Sequence, residues 1–350
     1  MKRKGLRLFI FFAILCSVII IIISSCSSAD KKTALKVIII PKFEIDEMTG
    51  DFPGEAQLFY EKYCEGCEEA DIPHMPPTGH FYVNEENGVG LLITGSGKTA
   101  AGLSLSAVLS SDLYDYSEAY IVSVGCGGGS ETYCTLGDVI LETAVCDYDL
   151  GHHVDAHEKT KSNSRVMWFP DDAYDEYECK FYNVELCEKV FQMIKDCPLR
   201  TTEMAKNVIK ENFKARYESD ILPFVKKGTA LTGDNFWKGI YGHVTANYIA
   251  NHYECPDPYA VTEMEDVAIA NTAVCYDMFD RLIALRVIVN MDIFLDDETP
   301  ESTWGEYDSY NNKVKEENSE TLDIFEPAMY NLFDTGSIVI DSILDGTIGE

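Results

Sequence analysis

Apolar runs of strand length alternate with stretches of helical periodicity along most of this chain. The runs that predict buried strands are 36–41, 89–94, 119–124, 139–145 and 284–289. The stretches with apolar residues at helical spacing are 99–109, 184–195, 201–216, 236–252 and 264–279, followed by one or two closing helices within 322–344. This alternation predicts an α/β core, without an internal repeat or an interdomain linker. Segment 43–80 is irregular and rich in Pro, Gly, Glu and Tyr, and we expect it to pack over a site or an interface.

The N-terminus predicts export and attachment to a membrane. A short positive segment comes first, and its cations are Lys2, Arg3, Lys4 and Arg7. The apolar run 8–23 then ends in small residues directly before Cys26, an order typical of a bacterial lipoprotein signal. The run is shorter than the ~18–20 residues that a spanning helix needs, which favours cleavage over a transmembrane anchor. We therefore expect a signal at 1–25, a lipidated Cys26 opening a tether (26–35), and a body (36–350) held at the bacterial cell envelope by lipid.

The acidic composition excludes one class of partner. The formal net charge is -31 at pH 7, so the body repels nucleic-acid phosphates and we expect no nucleic-acid partner. No second apolar segment of the sequence is long enough to cross a bilayer. This chain alone is therefore not expected to form a channel or carrier with several spans.

The cysteines and histidines give no strong metal motif. Of the twelve cysteines, Cys16 lies in the signal and Cys26 at its end, and the others could form disulfides after export or stay as buried thiols. Cys64 and Cys67 form a lone C-x-x-C, which is a weak zinc motif without a second pair or spaced histidines. We therefore expect no metal ion.

Two glycine-rich segments follow predicted strands, where open α/β sheets bind their ligands. Segment 95–99 does not fit the P-loop pattern, because Leu92 stands where that pattern needs a glycine. It fits a relaxed dinucleotide pattern or a simple tight turn, and in either case backbone N–H groups near Gly97 can face an anion or a polar ligand. Segment 125–129 is predicted to be a loop after its strand, where a flat purine could lie against the glycines.

Two acids around a methionine open the predicted helix at 264–279. Glu263 and Glu265 could simply complement the helix dipole. Alternatively, a carboxylate here could accept hydrogen bonds from two vicinal sugar hydroxyls, with Met264 as an apolar wall for the sugar. Asn290 follows a predicted strand, where its amide could contact a base or serve as an ordinary turn residue. Together with the glycine segments, these residues indicate a site for a ribose, a purine and a small anion or water.

The order of these motifs resembles the purine nucleoside permease family, which is related to the nucleoside phosphorylases and nucleosidases. The family pattern Gly-Asp-x-x-Trp stands here at 233–237, Met-Glu-Asp-x-Ala at 264–268, and Leu-Arg-x-x-Ser-Asn-Phe-Asp at 285–292. The chain departs from the last pattern at Val289 and Met291. The resemblance implies a single α/β domain of nucleoside-phosphorylase type, with a mixed, twisted sheet flanked by helices.

The resemblance also implies a role for each matching residue. Glu265 would hold the ribose hydroxyls, Met264 would pack on the sugar, and Asn290 would contact the base and stabilise its departure. The other implied contacts are Gly127 and Gly128 near the purine, and Gly97 and Lys98 on the phosphate or water side.

Two classes of function follow from this resemblance. The first is an enzyme that cleaves the N-glycosidic bond of purine nucleosides, and the second is a non-catalytic receptor that hands nucleosides to a separate transporter. Phosphorolytic relatives place an arginine by the central loop, whereas segment 122–126 has none, so water is favoured over phosphate as the co-substrate and no cofactor is expected. Asn290 favours the receptor, because an amide has no titrating proton to donate. The sequence leaves the preferred base and a homo-oligomer open.

Overall fold

The computed structural model describes residues 32–154, 168–170, 178–213, 218–295 and 319–349. The strands are β1 (Thr33–Ala34), β2 (Val37–Ile40), β3 (His80–Asn84), β4 (Val89–Ile93), β5 (Tyr114–Asp115), β6 (Tyr120–Gly129), β7 (Val139–Asp147), β8 (His152–His153), β9 (Trp168–Phe169), β10 (Cys179–Phe181), β11 (Val225–Thr232), β12 (Tyr259–Glu263) and β13 (Leu282–Met291). The helices are α1 (Gln57–Tyr63), α2 (Lys98–Ser110), α3 (Val184–Ile194), α4 (Glu203–Asn212), α5 (Ile240–His252), α6 (Asp266–Cys275) and α7 (Ser319–Asp345).

The apolar runs of the sequence form one mixed sheet. Nine of the described strands join it in the order β10-β7-β11-β12-β6-β2-β4-β3, with β13 pairing with both β6 and β7. Helices cover the sheet, since α2 packs against α6 and α7 packs against β6 and β13. Strands that are buried on both faces have continuous apolar sequences, as β2 and β4 do. The prediction of a single α/β domain with a mixed sheet and flanking helices is confirmed.

Five of the strands close a ring within the sheet. β6 pairs with β13 and β12, β13 also pairs with β7, and β11 joins β7 to β12. β6 is 10 residues long, so that its first half also reaches β2 while its last residues reach β12. The ring thereby brings Gly127 and Gly128 of β6 beside the carboxyl ends of β12 and β13.

The periodicity of the sequence misses several elements. β11 is not predicted because Lys226 and Lys227 interrupt its apolar run, and the ammonium of Lys226 pairs with the buried Asp138 at 2.6 Å. β12 has only five residues, and the predicted helix that follows it obscures its end. Helix α1 lies within segment 43–80, and β3 begins at the last residue of that segment. Neither is predicted, because the composition of the segment is polar and irregular. The closing region forms the single helix α7, which begins at Ser319, three residues before the predicted helical region 322–344.

The predicted N-terminal signal and Cys26 lie outside the described residues. The described chain starts with β1, which pairs with β5 and so continues the ordered structure into the predicted tether (26–35). None of the helices in the described ranges combines the length and the apolar character that a bilayer span requires.

Candidate functional site

A cavity of about 260 Å³ opens where β2, β6, β12 and β13 end. A volume of this order suits a small organic ligand. Its walls come from several parts of the chain and contain acids, bases and aromatic rings: Lys42, Phe43, Glu55, Ser96, Cys126, Gly127, Gly128, Leu231, Gly233, Asn235, Phe236, Trp237, Thr262, Glu263, Met264, Glu265, Arg286, Val289 and Asn290. Of the predicted site residues, the cavity brings together Gly127, Gly128, Met264, Glu265 and Asn290.

The glycines of segment 125–129 belong to strand β6, so the predicted loop is wrong. Their small size is explained by the close approach of other chain segments. A Cβ on Gly127 would lie 2.4 Å from the carbonyl oxygen of Thr262, and one on Gly128 would lie 2.0 Å from a carboxylate oxygen of Asp292. Side chains are excluded here first by the packing of the ring, and the same bare backbone forms part of the cavity wall.

The segment around Met264 is a strand-to-helix turn, because Glu263 ends β12 and α6 begins only at Asp266. The prediction that Glu263 and Glu265 both lie in the first turn of a helix is therefore wrong. The carboxylate of Glu263 accepts hydrogen bonds from the backbone N–H groups of Glu265 (2.6 Å) and Asp266 (2.7 Å). Glu263 thus stabilises the start of α6. This agrees, for one of the two acids, with the alternative that they complement the helix dipole. Glu265 turns toward the cavity.

Glu265 is held from two sides. Its Oε1 accepts from the backbone N–H of Gly97 at 2.8 Å, and its Oε2 accepts from the guanidinium of Arg286 at 3.3 Å. Only 4% of the residue is exposed. A carboxylate oxygen has two lone pairs. Glu265 can therefore still accept hydrogen bonds from a ligand.

Arg286 is a residue of the cavity wall that the sequence reasoning missed. It is 1% exposed, and it donates from Nε to Asp266 at 2.8 Å and from Nη2 to Glu263 at 2.9 Å. A further donor bond from Nη1 reaches the carbonyl oxygen of Cys126 at 3.2 Å. The signal was an arginine inside the apolar run 284–289, since a charge is buried only when it has partners.

The buried charges around Arg286 are unbalanced. The carboxyls of Glu55, Glu142, Glu263, Glu265 and Asp266 are all buried, whereas the buried cations among them are Arg286 and Lys42. Burial raises the pKa of Glu263 to about 7 against the opposing effect of Arg286, and it raises the pKa of Glu142 well above its ordinary value. The pKa of Asp266 is instead lowered by Arg286 and Lys42, which outweigh its burial. The buried carboxyls of the site thus outnumber its buried cations.

Lys42 and Glu55 connect the start of segment 43–80 to this charge cluster. The ammonium of Lys42 donates to the hydroxyl of Ser123 at 2.6 Å, and it lies 3.6 Å from Asp266. The carboxylate of Glu55 accepts from the backbone N–H groups of Lys42 (2.8 Å) and Cys126 (2.7 Å). The expectation that segment 43–80 packs over a site is met by these two contacts and by the ring of Phe43 on the cavity wall.

Asn290 presents an unpaired polar group to the cavity. Its Nδ2 atom is buried and has no hydrogen-bond partner among the described residues. The neighbouring acid, Asp292, accepts from the hydroxyl of Thr262 at 2.9 Å and from the phenol of Tyr259, and burial raises the pKa of Asp292 to about 7. Asp292 is thus engaged with the protein, whereas the amide of Asn290 is available to a ligand.

Lys98 is not placed where a ligand anion would meet it. Its ammonium bonds Asp147 at 3.0 Å and lies 3.2 Å from Asp149, and the residue is absent from the cavity wall. The two carboxylates attract the ammonium more strongly than solvent does, and the pKa of Lys98 is raised by them despite its desolvation. Lys98 is thus engaged by two carboxylates, and its implied place on the phosphate or water side stays a prediction. Gly97 meets the site through the N–H that it donates to Glu265.

One wall of the cavity is segment 233–239, which we call the aromatic loop. It is fixed at both ends, since Gly233 N–H donates to the backbone carbonyl of Glu263 at 2.9 Å and Gly239 N–H donates to the backbone carbonyl of Asp292 at 2.7 Å. Trp237 stacks on Tyr148 with ring centroids 5.2 Å apart. The loop thus presents a rigid indole and a half-exposed Phe236 to the cavity.

The solved structures similar to this chain include nucleosidases. A 5′-methylthioadenosine/S-adenosylhomocysteine nucleosidase from Helicobacter pylori, with butyl-thio-DADMe-Immucillin-A, has a TM-score of 0.52 at 12% identity and covers 90% of this chain and 100% of its own. The apo 5′-methylthioadenosine nucleosidase of Arabidopsis thaliana has a TM-score of 0.52 at 15% identity, covering 89% and 97%. At these identities the likeness shows a shared fold.

Sequence comparisons identify the family. A probable purine nucleoside permease of Schizosaccharomyces pombe is 26% identical over 246 residues, which cover 65% of this chain and 69% of that protein. A purine nucleoside permease of Candida albicans is 28% identical over 174 residues, covering 46% of this chain and 41% of that protein. The family model for purine nucleoside permeases matches residues 34–347. With the nucleosidase fold and this match over nearly the whole described chain, the protein belongs to the purine nucleoside permease family.

Proposed function

We propose that the cavity binds a purine nucleoside and that the protein cleaves its N-glycosidic bond with water as the nucleophile. The observation that carries the proposal is the buried Nδ2 atom of Asn290 on the cavity wall, which has no hydrogen-bond partner among the described residues. A buried donor without a partner is costly, and a ligand with an acceptor removes that cost. The O6 and N7 atoms of a 6-oxopurine are such acceptors.

The sugar would lie against Met264 and Glu265. The thioether of Met264 offers an apolar surface, and the carboxylate of Glu265 can accept from two vicinal hydroxyls. Cleavage of an N-glycosidic bond leaves positive charge on the sugar. The excess of buried carboxyls around Arg286 stabilises such charge electrostatically.

The excess of buried carboxyls around Arg286 also favours water over phosphate as the nucleophile. Arg286 would be the natural partner of a phosphate, but Glu263, Glu265 and Asp266 already pair with it. An incoming phosphate would add negative charge to a cluster that is already rich in carboxyls. Glu55, held by two backbone N–H groups on the cavity wall, is the carboxylate that we assign to orient the attacking water.

Release of free base tests this proposal directly. The full chain is incubated with inosine, guanosine and adenosine, with and without phosphate, and the free base is quantified by chromatography. We expect base release at equal rates in both buffers, a preference for inosine and guanosine, and loss of most turnover in Asn290→Ala. Exposed Asn251, whose amide bonds only the backbone of its own helix, gives the matched control Asn251→Ala. Base release that needs phosphate, or that survives Asn290→Ala unchanged, contradicts the proposal.

The second candidate is a non-catalytic receptor for nucleosides. It is favoured by one observation, namely that an amide stands at position 290 where an acid could protonate the leaving base. The receptor predicts binding of intact nucleoside without any release of base, by calorimetry and chromatography on the same sample. Asn290→Asp separates the two functions further, because an enzyme should gain activity on adenosine whereas a receptor should stay inactive.

We also propose that the body is anchored to a membrane through lipid on Cys26. The proposal rests on the order of cations, apolar run and small residues before Cys26. The relatives named above are fungal proteins, so they do not support a bacterial lipoprotein. Metabolic labelling with a fatty acid, followed by membrane fractionation, should show a lipid-bearing mature chain. Cys26→Ala should lose the label, and a variant that keeps it would exclude this attachment site.

A further inference from the structure

Three cysteines that are far apart in the sequence meet outside the nucleoside cavity. The Sγ atom of Cys146 lies 2.6 Å from that of Cys179 and 3.5 Å from that of Cys255, and the remaining pair is 3.9 Å apart. None of the three belongs to a C-x-x-C motif, so the spacing of cysteines in the sequence does not reveal them.

Three separate elements bring these sulfurs together. Cys146 lies on β7 and is the direct cross-strand partner of Cys179 on β10. Cys255 follows α5, where its backbone N–H donates to the carbonyl of Ala250 at 3.0 Å and fixes the turn. The sulfurs therefore converge because strand register and a helix end place them, and this arrangement does not depend on a ligand.

The surroundings of the sulfurs combine apolar packing with one buried carboxyl. Cys146 is buried in an apolar cluster with Trp168, and the carboxyl of Glu178, the chain neighbour of Cys179, is buried beside it. One oxygen of Glu178 accepts from the phenol of Tyr253, and the other has no hydrogen-bond partner among the described residues.

We propose that Cys146, Cys179 and Cys255 bind one soft metal ion, with Zn²⁺ as the expected occupant. Thiolate sulfur is the ligand that soft and borderline cations prefer, and three protein ligands with an open fourth position are a known zinc arrangement. In a tetrahedral zinc site, Zn–S bonds of about 2.3 Å hold sulfurs just under 4 Å apart, which two of the three separations approach. The Cys146–Cys179 pair opens by about 1 Å on binding, and the thiols release their protons to solvent.

The fourth position is open to solvent on the side of Cys255. That residue lines a second cavity, of about 270 Å³, together with Asn247, Asn251 and Asp257. Water from this cavity can complete the coordination. The expectation of no metal rests on the absence of spaced motifs, and ligands from three elements leave no fixed spacing in the sequence, so this proposal stands against that expectation.

The competing occupant of these sulfurs is a disulfide. A bond between Cys146 and Cys179 would use the two partners of the ladder and leave Cys255 as a lone thiol. All three sulfurs face one another, so a metal ion would bond all three. A disulfide would bond two of them and leave the third unused.

The test uses the full chain purified under reducing conditions, with Zn²⁺ and Co²⁺ as probes. We expect one equivalent of metal by elemental analysis and, with Co²⁺, the near-ultraviolet absorption of sulfur-to-cobalt charge transfer. Cys146→Ser, Cys179→Ser and Cys255→Ser should each weaken Co²⁺ binding at least tenfold. Cys187→Ser, at a buried thiol elsewhere, and Cys275→Ser, at an exposed one, should bind as the wild type does.

Wild-type protein gives a readout that does not depend on the folding of any variant. Zn²⁺ should protect three thiols from alkylation, and peptide mapping should identify them as Cys146, Cys179 and Cys255. Protection of other cysteines, or no bound metal in fully reduced protein, overturns the proposal. A Cys146–Cys179 disulfide found by mapping without reductant, together with no Zn²⁺ binding after reduction, also overturns it in favour of the disulfide.

Discussion

Glu265 illustrates how a single residue joins the fold to the proposed ligand. Its carboxylate accepts from Gly97 and Arg286, and it also lines the cavity. Hydrogen bonds to a charged group contribute about 1.5–3 kcal/mol each, so loss of one weakens binding tenfold or more. We expect Glu265→Gln to raise the Kd for a nucleoside at least tenfold while the Kd for the free base stays within about twofold.

Calorimetry with guanosine and guanine measures both values for that prediction. Glu188→Gln is the control, since Glu188 is exposed and pairs with Lys227 on the surface. An equal loss of affinity for nucleoside and base would mean that Glu265 only supports the structure.

Asp292 predicts how stability depends on pH. Burial raises its pKa to about 7, against a value of about 3.9 in an unfolded chain. The folded state therefore holds this proton more tightly, and the stabilisation, fully present below pH 4, is lost as the pH rises toward 7. The difference corresponds to about 4 kcal/mol as an upper limit.

Denaturant unfolding of wild type and Asp292→Asn between pH 4 and pH 8 measures this loss. The amide cannot ionise, so the gap in unfolding free energy should move in favour of Asp292→Asn as the pH rises. A gap that stays constant over this range would exclude a protonated Asp292 in the folded state.

At the scale of single residues, the sequence predicts which side chains line the cavity better than it predicts which side chains bond to one another. Met264, Glu265 and Asn290 were identified from type and position and do line the cavity. Glu55 leaves no such signal because its position follows from tertiary contacts, whereas Arg286 is marked by its place inside an apolar run. The partners of Lys98 are not evident from local pattern either, since Asp147 and Asp149 stand about fifty residues away.

At the scale of elements, the aromatic loop and α5 act as a unit. A Cβ on Gly242 of α5 would lie 2.0 Å from the indole of Trp237, so this glycine allows the ring to pack directly on the helix. Stacking of a base on an aromatic ring contributes about 1–3 kcal/mol. We expect Trp237→Ala to weaken nucleoside binding about tenfold and Gly242→Ala to weaken it through displacement of the indole.

Tryptophan fluorescence reports on this unit. Nucleoside binding should change the emission of the wild type and of Trp168→Phe, but should leave that of Trp237→Phe unchanged. A ligand-induced change that persists without Trp237 would place the base elsewhere in the cavity.

The elements also show where periodicity succeeds as a predictor. Strands buried on both faces, such as β2 and β4, and the amphipathic helix α3 are found correctly because burial sets their sequence pattern. Strand β11 is hidden by two lysines, and β6 runs through glycines that usually end a strand. In both cases tertiary pairing within the ring overrides the local preference.

At the scale of the whole molecule, net charge sets the response to salt. The formal charge of -31 makes the folded chain repel itself, and ions screen that repulsion over about 10 Å at 0.1 M. We expect the unfolding temperature to rise by about 2 °C or more between roughly 10 mM and 0.2 M NaCl. Sucrose at equal osmolality controls for effects other than screening, and a temperature that falls with salt would show that attractive ion pairs dominate instead.

The closed ring of β6, β13, β7, β11 and β12 has a consequence for how a ligand can enter. A strand with neighbours on both sides loses its amide protons to solvent only when the whole unit opens, whereas an edge strand frays at little cost. Hydrogen exchange should therefore be slowest in β6 and β13, which form the floor of the cavity, and faster in the edge strands β3 and β10. Since the floor can open only with global unfolding, the passage of nucleoside must depend on motion of the side chains and loops above it.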